Sequence, residues 1–313
     1  MWLGVANACF AYKEVPPPEK VVLPVALSPA RSLAAIKVAA GMEVELIAAE
    51  PNVLDPVDIA WDADGRMWVV EMADYPNGID GRGRPGGRIR VLESTKRDGH
   101  YDKSTLFASN LSYPNSIRPW RNGVLVTAIP NILFLEDTDG DGRADRTTTL
   151  FSGLGEGNQQ HLANGFQWGL DGWLHMANGD SGGKLASVKS RVVVDLGRRD
   201  FRIQPDTGAI ELLAGQSQFG RSRDDWGNWF GCNNSNPLWH YALEERYLRR
   251  NEKFIAPSPV VSVAHPPGAA PIFPVSETLA RFNDPQGFNH FTSACGVMIY
   301  RDELLGAEFT GNA

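Results

Sequence analysis

Hydrophobic and polar positions in this chain alternate in short bursts rather than at helical spacing. Asp58–Met72 reads DIAWDADGRMWVVEM, Ser116–Ile129 reads SIRPWRNGVLVTAI, and Gly165–Gly179 reads GFQWGLDGWLHMANG. Arg223–Asn234, RDDWGNWFGCNN, is a weaker copy. Each is an apolar strand, a tight turn of the D-G or N-G kind, and a second apolar strand, which is the signature of a β-hairpin. The turn glycines Gly65, Gly123, Gly172 and Gly227 recur roughly every fifty residues. Further strand patterns lie at Glu43–Ala48, Gly87–Leu92 and Arg191–Asp195, and a hairpin at Phe201–Leu213 turns at Asp206-Thr207-Gly208. A fifth partial copy begins at Gly296. Helical spacing is confined to Pro29–Ala40 and Leu243–Arg250.

Units of about four strands repeating every 40–55 residues or so predict an all-β fold of the β-propeller type. A β-sandwich, the alternative, spaces its strands more tightly, at about 8–12 residues. The repeats amount to about four to five blades, whereas propellers close with a whole number, so the expectation is an incomplete propeller. It would span residues 28–313, after an apolar N-terminal segment and proline-rich linker at 1–27. A proline-rich loop insertion is expected at about 243–290, with seven prolines between Pro257 and Pro285.

Composition narrows the partners. Hydrophobic residues make up 42% and charged residues 21% of the chain, as in ordinary globular proteins. A net charge of −7 and a pI near 5.4 argue against nucleic acid, which favours a basic face. No apolar run reaches the roughly 18–20 residues of a transmembrane span. The three cysteines, Cys9, Cys232 and Cys295, form no C-x-x-C pair, which excludes zinc-ribbon, thioredoxin and c-type haem motifs. The apolar N-terminus lacks the basic residues of a clear signal peptide.

The densest chemistry is D-T-D-G-D-G-R-A-D at Asp137–Asp145. Asp137, Asp139, Asp141 and Asp145 fill positions 1, 3, 5 and 9 of a calcium loop, Arg143 offers its carbonyl at position 7, and Gly142 permits the turn. Four close carboxylates repel one another unless a cation sits among them, and hard oxygen ligands suit Ca²⁺. An EF-hand would need Glu at position 12, where Thr148 stands, and the flanks are β-like, so the loop is expected to join two strands. An acidic, solvated turn is the alternative.

His161, within NQQHLANGFQWGLDG, precedes the third hairpin and is expected on a loop. Among amides at the mouth of a propeller strand it is either a general base or a structural histidine. His175 falls inside a strand and reads as a packed core residue. Glu71, Asp74 and Tyr75 end the first hairpin, where they line a central face or simply form a turn. Arg221, Arg223, Asp224 and Asp225 bind an anion or pair among themselves. P-loop, dinucleotide, zincin and nucleophile-elbow motifs are absent.

The stretches GMEVELIAAEPNVLDPVDIAWDADGRMWVVEMADYP, EDTDGDGRAD, NQQHLANGFQWGLDGWLHMANGDSGG and GQSQFGRSRDDWGNWFGCNNSNPLWHY resemble the propeller domain of large membrane-bound, haem-binding dehydrogenases of planctomycete-type bacteria. That domain is similar in turn to soluble quinoprotein glucose and aldose-sugar dehydrogenases, six-bladed propellers that use pyrroloquinoline quinone (PQQ) and Ca²⁺. The resemblance implies His161 as the catalytic base and Asn164 and Arg221 as cofactor contacts. Gln216 and Ser217 stand where the quinoproteins carry Arg-Asn. It also implies export to the periplasm or cell envelope, and a cytochrome c-type domain as electron acceptor. Two functions follow as expectations: oxidation of a sugar or polyol hydroxyl, or a non-catalytic propeller that binds carbohydrate or a protein partner.

Overall fold

A computed structural model describes residues 25–251, 253, 255, 257–264, 291 and 293–313. The chain divides into two units, Met1–Leu46 and Ile47–Ala313. In the first, helix α1 (Pro29–Ala35) starts at Ser28, whose hydroxyl accepts the Arg31 N–H, with proline at the first helical position. It ends at Ile36, short of the expected Ala40. The expected strand at Glu43–Ala48 does not form, because no neighbouring strand pairs with it.

The second unit is a β-propeller built of antiparallel four-stranded meanders. Blade I is β1 (Pro56–Trp61), β2 (Met67–Glu71), β3 (Gly87–Glu93) and β4 (Lys103–Leu111). Blade II is β5 (Pro114–Trp120), β6 (Gly123–Ala128), β7 (Asn131–Glu136) and β8 (Arg146–Leu154). Blade III begins with β9 (Asn164–Trp168) and β10 (Leu174–Ala177). The chain then leaves as a hairpin, β11 (Gly183–Ser187) and β12 (Val193–Asp195), and returns as β13 (Phe201–Gln204) and β14 (Ala209–Leu212). β11 pairs with β8, so the third blade's hairpin extends the second blade to six strands. Blade IV is β15 (Ser222–Arg223), β16 (Trp229–Gly231), β17 (Trp239–Tyr241) and β18 (Val260–Ser262).

All four predicted hairpins are the first two strands of a blade. β18 lies within the segment expected to be a loop. It forms because Val260 and Val261 pair with Tyr241 and His240 and complete the blade's outer edge. Residues 265–290, most of the proline-rich stretch with His265 and His290, lie outside the described residues. One turn differs from expectation: Gly123 sits in β6 rather than in the turn, and Arg121 takes the left-handed backbone at φ 55°. A side chain at Gly123 would meet the Leu135 carbonyl at 2.0 Å.

The core lies between blades. On β6 and β7, Val124, Val126, Leu133 and Leu135 pack toward blade I, against Trp68, Val70, Ile89 and Phe107. The alternate residues Leu125, Ile132 and Phe134 pack toward blade III, against Phe166, Leu174 and Phe201. Both faces of these strands are covered, which is why they read as continuous apolar runs. Each fully buried Leu or Phe contributes about 1.5–3 kcal/mol of transfer free energy. The opposite side of blade I exposes Val57, Ile59 and Trp61.

The first strands are stitched together side to side. Ile117 N donates to Asp58 Oδ2 at 2.9 Å, Gly165 N to Ser116 Oγ at 2.5 Å, and Arg223 Nε to the Trp168 carbonyl at 3.1 Å. Beyond blade IV, Ile299 N donates to Ser222 Oγ at 3.1 Å. The fifth partial repeat therefore runs alongside β15 without forming a strand.

Candidate functional site

In each meander the β2–β3-type turns and the links to the next blade lie at one end, called the upper end here. The first and third turns lie at the other. His161 and the acidic loop therefore occupy opposite ends of the propeller: His161 is in the link from β8 to β9, and Asp137–Asp145 is the β7–β8 turn.

His161 closes one turn of 3-10 helix, Gln159–His161, capped by Asn158, whose side chain accepts the Gln160 N–H. Its ring is hydrogen-bonded at one nitrogen and faces a carboxylate with the other. Nε2 lies 2.9 Å from the side-chain amide nitrogen of Gln218, and Nδ1 lies 3.7 Å from Asp180 Oδ2. Gln218 Oε1 accepts the Asn234 N–H at 3.0 Å, which orients its NH₂ toward His161. The imidazole Nε2 is then the acceptor, and the proton belongs on Nδ1, facing Asp180. The ring remains 30% exposed. Three blade connections converge here: Gln218 comes from the β14–β15 link, Asn234 from the β16–β17 turn and Asp180 from the turn after β10. Tyr75 of blade I joins them by accepting from the Gln160 side chain at 2.6 Å.

Close backbone approaches make this convergence possible. Gly165, at φ 72°, lies so near Gly220 that a side chain would meet its Cα at 2.3 Å. Gly179, at φ 69°, would place one 2.0 Å from the Leu162 carbonyl. Asn164 locks the same contact: its Nδ2 donates to the Leu162 and Gln218 carbonyls at 2.8 Å each, and its Oδ1 accepts the Gly220 N–H at 2.6 Å. All its side-chain polar groups are engaged in stitching.

Arg221 is buried beneath this surface. Its guanidinium lies 3.9 Å over the Tyr241 ring and 5.4 Å from that of Trp229, and Nε is 3.6 Å from Asp200 Oδ2. Nε and Nη1 have no hydrogen-bond partner among the described residues. Asp200 is fully buried and accepts from Asn178 N, Ser217 N and Tyr241 Oη. Burial pushes its carboxyl up to about 6, against the pull of Arg221 and the amides. Arg223, Asp224 and Asp225 pair internally or with Arg301, as charge clusters commonly do.

His175 is a core residue, as its position in a strand predicted. It stacks on Trp229 with ring centroids 4.0 Å apart. Burial, reinforced by the Arg221 charge, holds its imidazole down at about 3. A histidine near 6.5 when unfolded and near 3 when folded makes stability rise with pH between those values. The His175 ring resonances are therefore expected to stay flat in an NMR titration from pH 7 to 5. A titration step in that range would show the ring to be solvated.

At the lower end the acidic loop joins two strands, β7 and β8. Arg146 and Glu136 clamp its neck, with Nε to Oε2 at 2.7 Å. Asp137, Asp139 and Asp145 each bring a carboxylate oxygen within 4.8 Å of the others. Asp141 is not part of that group, and its Oδ1 accepts the Arg143 N–H instead. The Gly142 and Gly140 amides hold the Asp137 carboxyl below the usual range. Thr148 is inside β8, beyond the loop, so no ligand occupies the twelfth position.

Residues 28–313 match a family model described as a domain of unknown function, DUF7133. The chain belongs to this family. No curated protein matches it. Among solved structures, a luciferin-regenerating enzyme is similar at 17% identity and a TM-score of 0.35, over 58% of this chain and 52% of that one. A protein of unknown function from Bacteroides thetaiotaomicron is similar at 12% identity and a TM-score of 0.32, over 62% and 56%. The DUF7133 chain thus spans little more than half the length of either.

The sequence pointed to His161 but not to its partners. Gln218 lies in GQSQFG and Asp180 in NGDSGG, glycine-rich stretches whose turns were legible. Asp180 takes a left-handed backbone at φ 73°, tolerated by Asp more readily than by most residues.

Proposed function

We propose that the upper end of this propeller binds a sugar or polyol and that His161 takes the proton from one of its hydroxyls. The observation that carries this reading is the chain of contacts Asn234–Gln218–His161–Asp180. It leaves Nε2 as the basic nitrogen, sets a displaceable neutral donor where a substrate hydroxyl would bind, and places a carboxylate near Nδ1 to stabilise the imidazolium. The neighbouring groups of Gln160, Tyr75 and Asn158 are neutral hydrogen-bonding partners, which suit hydroxyls.

Oxidation of that hydroxyl rests on the resemblance to quinoprotein dehydrogenases. Arg221, whose Nη1 has no hydrogen-bond partner among the described residues, is the residue that would hold the anionic cofactor PQQ. Asn164, with its polar groups engaged, is not free to do so. Bound PQQ would supply the two-electron acceptor. A cytochrome c-type domain as onward acceptor and a periplasmic or envelope location belong to the same resemblance.

Calorimetric titration with a panel of sugars and polyols, followed by a dye-reduction assay with PQQ, tests the reading. Binding with PQQ-dependent dye reduction is expected. Absence of any binding sinks it. Binding without dye reduction at any PQQ concentration selects the second reading, a non-catalytic carbohydrate-binding propeller, which the engagement of Asn164 favours.

At the lower end we infer a Ca²⁺ site formed by Asp137, Asp139 and Asp145, with Asp141 at its edge, tying β7 to β8. Excess Ca²⁺ is expected to raise the melting temperature relative to chelator, by the binding linkage to the folded state. Asp137→Asn with Asp145→Asn should abolish the difference. Equal melting of the native protein in Ca²⁺ and chelator would dispose of the site.

A further inference from the structure

The two partners of His161 come from chain segments that meet on a single buried carboxylate. Asp200, in the link from β12 to β13, is fully buried. Its own backbone is fixed to the chain just after β14: its N–H donates to the Gly215 carbonyl at 2.8 Å, and its carbonyl accepts Leu213 N at 2.7 Å. Its Oδ1 accepts two further backbone N–H groups, that of Asn178 at 2.8 Å and that of Ser217 at 2.9 Å. Asp180, whose carboxylate faces His161 Nδ1, lies two residues after Asn178. Gln218, whose amide meets His161 Nε2, directly follows Ser217.

The two segments are also bonded to each other. Gly179 N donates to the Ser217 carbonyl at 3.1 Å, and Gln216 Nε2 donates to Asn178 Oδ1 at 3.0 Å. Asp200 bridges this pair and ties it to blade IV, where Tyr241 Oη donates to its Oδ2 at 2.9 Å. Arg221 Nε stands 3.6 Å from the same oxygen. Every group that meets the side chain is a donor, which suits a carboxylate, an acceptor with about four lone-pair sites. Alanine at this position would leave two buried N–H groups without an acceptor, which favours movement of the segments that carry them. Asparagine would keep one oxygen for both N–H groups but would turn an NH₂ toward Tyr241 and Arg221.

We propose that Asp200 is a positioning residue for His161: by holding the Asn178 and Ser217 N–H groups on one oxygen, it sets Asp180 and Gln218 against the two ring nitrogens and so fixes the imidazole tautomer. It acts through those two residues. Its consequence for turnover rests on the reading of His161 as a base, whereas its effect on the ring does not.

Long-range ¹⁵N–¹H correlation spectra of the full chain, with the His161 signal assigned by its loss in His161→Ala, read the tautomer of the neutral ring directly. A single Nδ1–H form is expected in the parent and in Asp200→Asn, and a mixture of tautomers in Asp200→Ala. Leu133→Ala, a core truncation between blades I and II, should lower stability and leave the tautomer unchanged, which separates positioning from a general loss of stability. Hydrogen exchange of the parent tests the anchor even where Asp200→Ala does not fold: the Asn178 and Ser217 amides should exchange as slowly as those of β10 and β13. In the dye-reduction assay Asp200→Ala should lower kcat by about 10²-fold, the cost of a slight misplacement, with little change in KM. Asp200→Asn should restore most of that loss. Fast exchange of either amide, a parental tautomer in folded Asp200→Ala, a mixture in Asp200→Asn, or an equal mixture in Leu133→Ala would each overturn the proposal. A tautomer that responds as expected in a protein that binds no sugar would leave the positioning intact and sink the reading of His161 alone.

Discussion

His161→Ala is expected to lower turnover of a sugar or polyol by about 10²–10⁴-fold, the usual contribution of a positioned general base. The substrate's affinity should change much less, because the neighbouring amides and hydroxyls remain. Asp180→Asn should cost less, since the carboxylate acts through the ring from 3.7 Å and is 40% exposed. Gln218→Met, which removes the donor that occupies Nε2, separates ring position from ring basicity. The measurement is single-turnover kinetics on variants whose melting curves match the parent. Full activity in His161→Ala would falsify the role assigned to the histidine, whatever the electron acceptor.

Glu71→Ala is expected to destabilise the fold by about 3 kcal/mol, the lower end of the cost of breaking a buried ion pair. Glu71 is fully buried at the end of β2. One carboxylate oxygen accepts Leu54 N at 2.7 Å and Arg90 Nε at 2.9 Å, and the other accepts Arg88 Nε at 2.6 Å. Alanine would leave two arginines side by side on β3 without their shared counter-charge and a backbone N–H without its acceptor. The arginine side chains are 26% and 18% exposed, so water partly compensates, which places the figure at the lower end. Glu71→Gln keeps an acceptor for Leu54 and should fall between the two. Urea denaturation reads both. A loss under about 1 kcal/mol in Glu71→Ala would mean that the clamp behaves as a surface pair.

These two expectations draw on different levels of the chain. Glu71 was visible in sequence only as a polar residue ending an apolar strand, a position equally suited to a turn or to a ligand-lining face. Its role follows from Arg88 and Arg90, which β3 brings across from the next strand in register. His161 was visible because its flanks carry amides and because it precedes a hairpin. Its partners are Gln218 and Asp180, which no local pattern connects to it. Asn164 and Arg221 illustrate the same gap. Side-chain type marked them as ligands by resemblance, whereas their surroundings are set by packing: the Leu162 and Gln218 carbonyls for Asn164, and the Trp229 and Tyr241 rings with Asp200 for Arg221.

What the sequence determined by itself is local and periodic. Alternation, tight turns and the fifty-residue spacing specify hairpins, because side-chain direction reverses at each strand residue and glycine permits the turns. Continuous apolar runs in β6 and β7 specify strands covered on both faces. The acidic loop is likewise written in consecutive residues, since its carboxylates are brought together by the turn that contains them. Tertiary structure alone decided which loops share an end of the propeller. It put His161 and the acidic loop at opposite ends and brought Gln218 and Asp180, from two other connections, to the imidazole. The reason is that blades interact edge to edge across links of many residues. Those contacts depend on how sheets stack about an axis, and that geometry has no short-range signature in the chain.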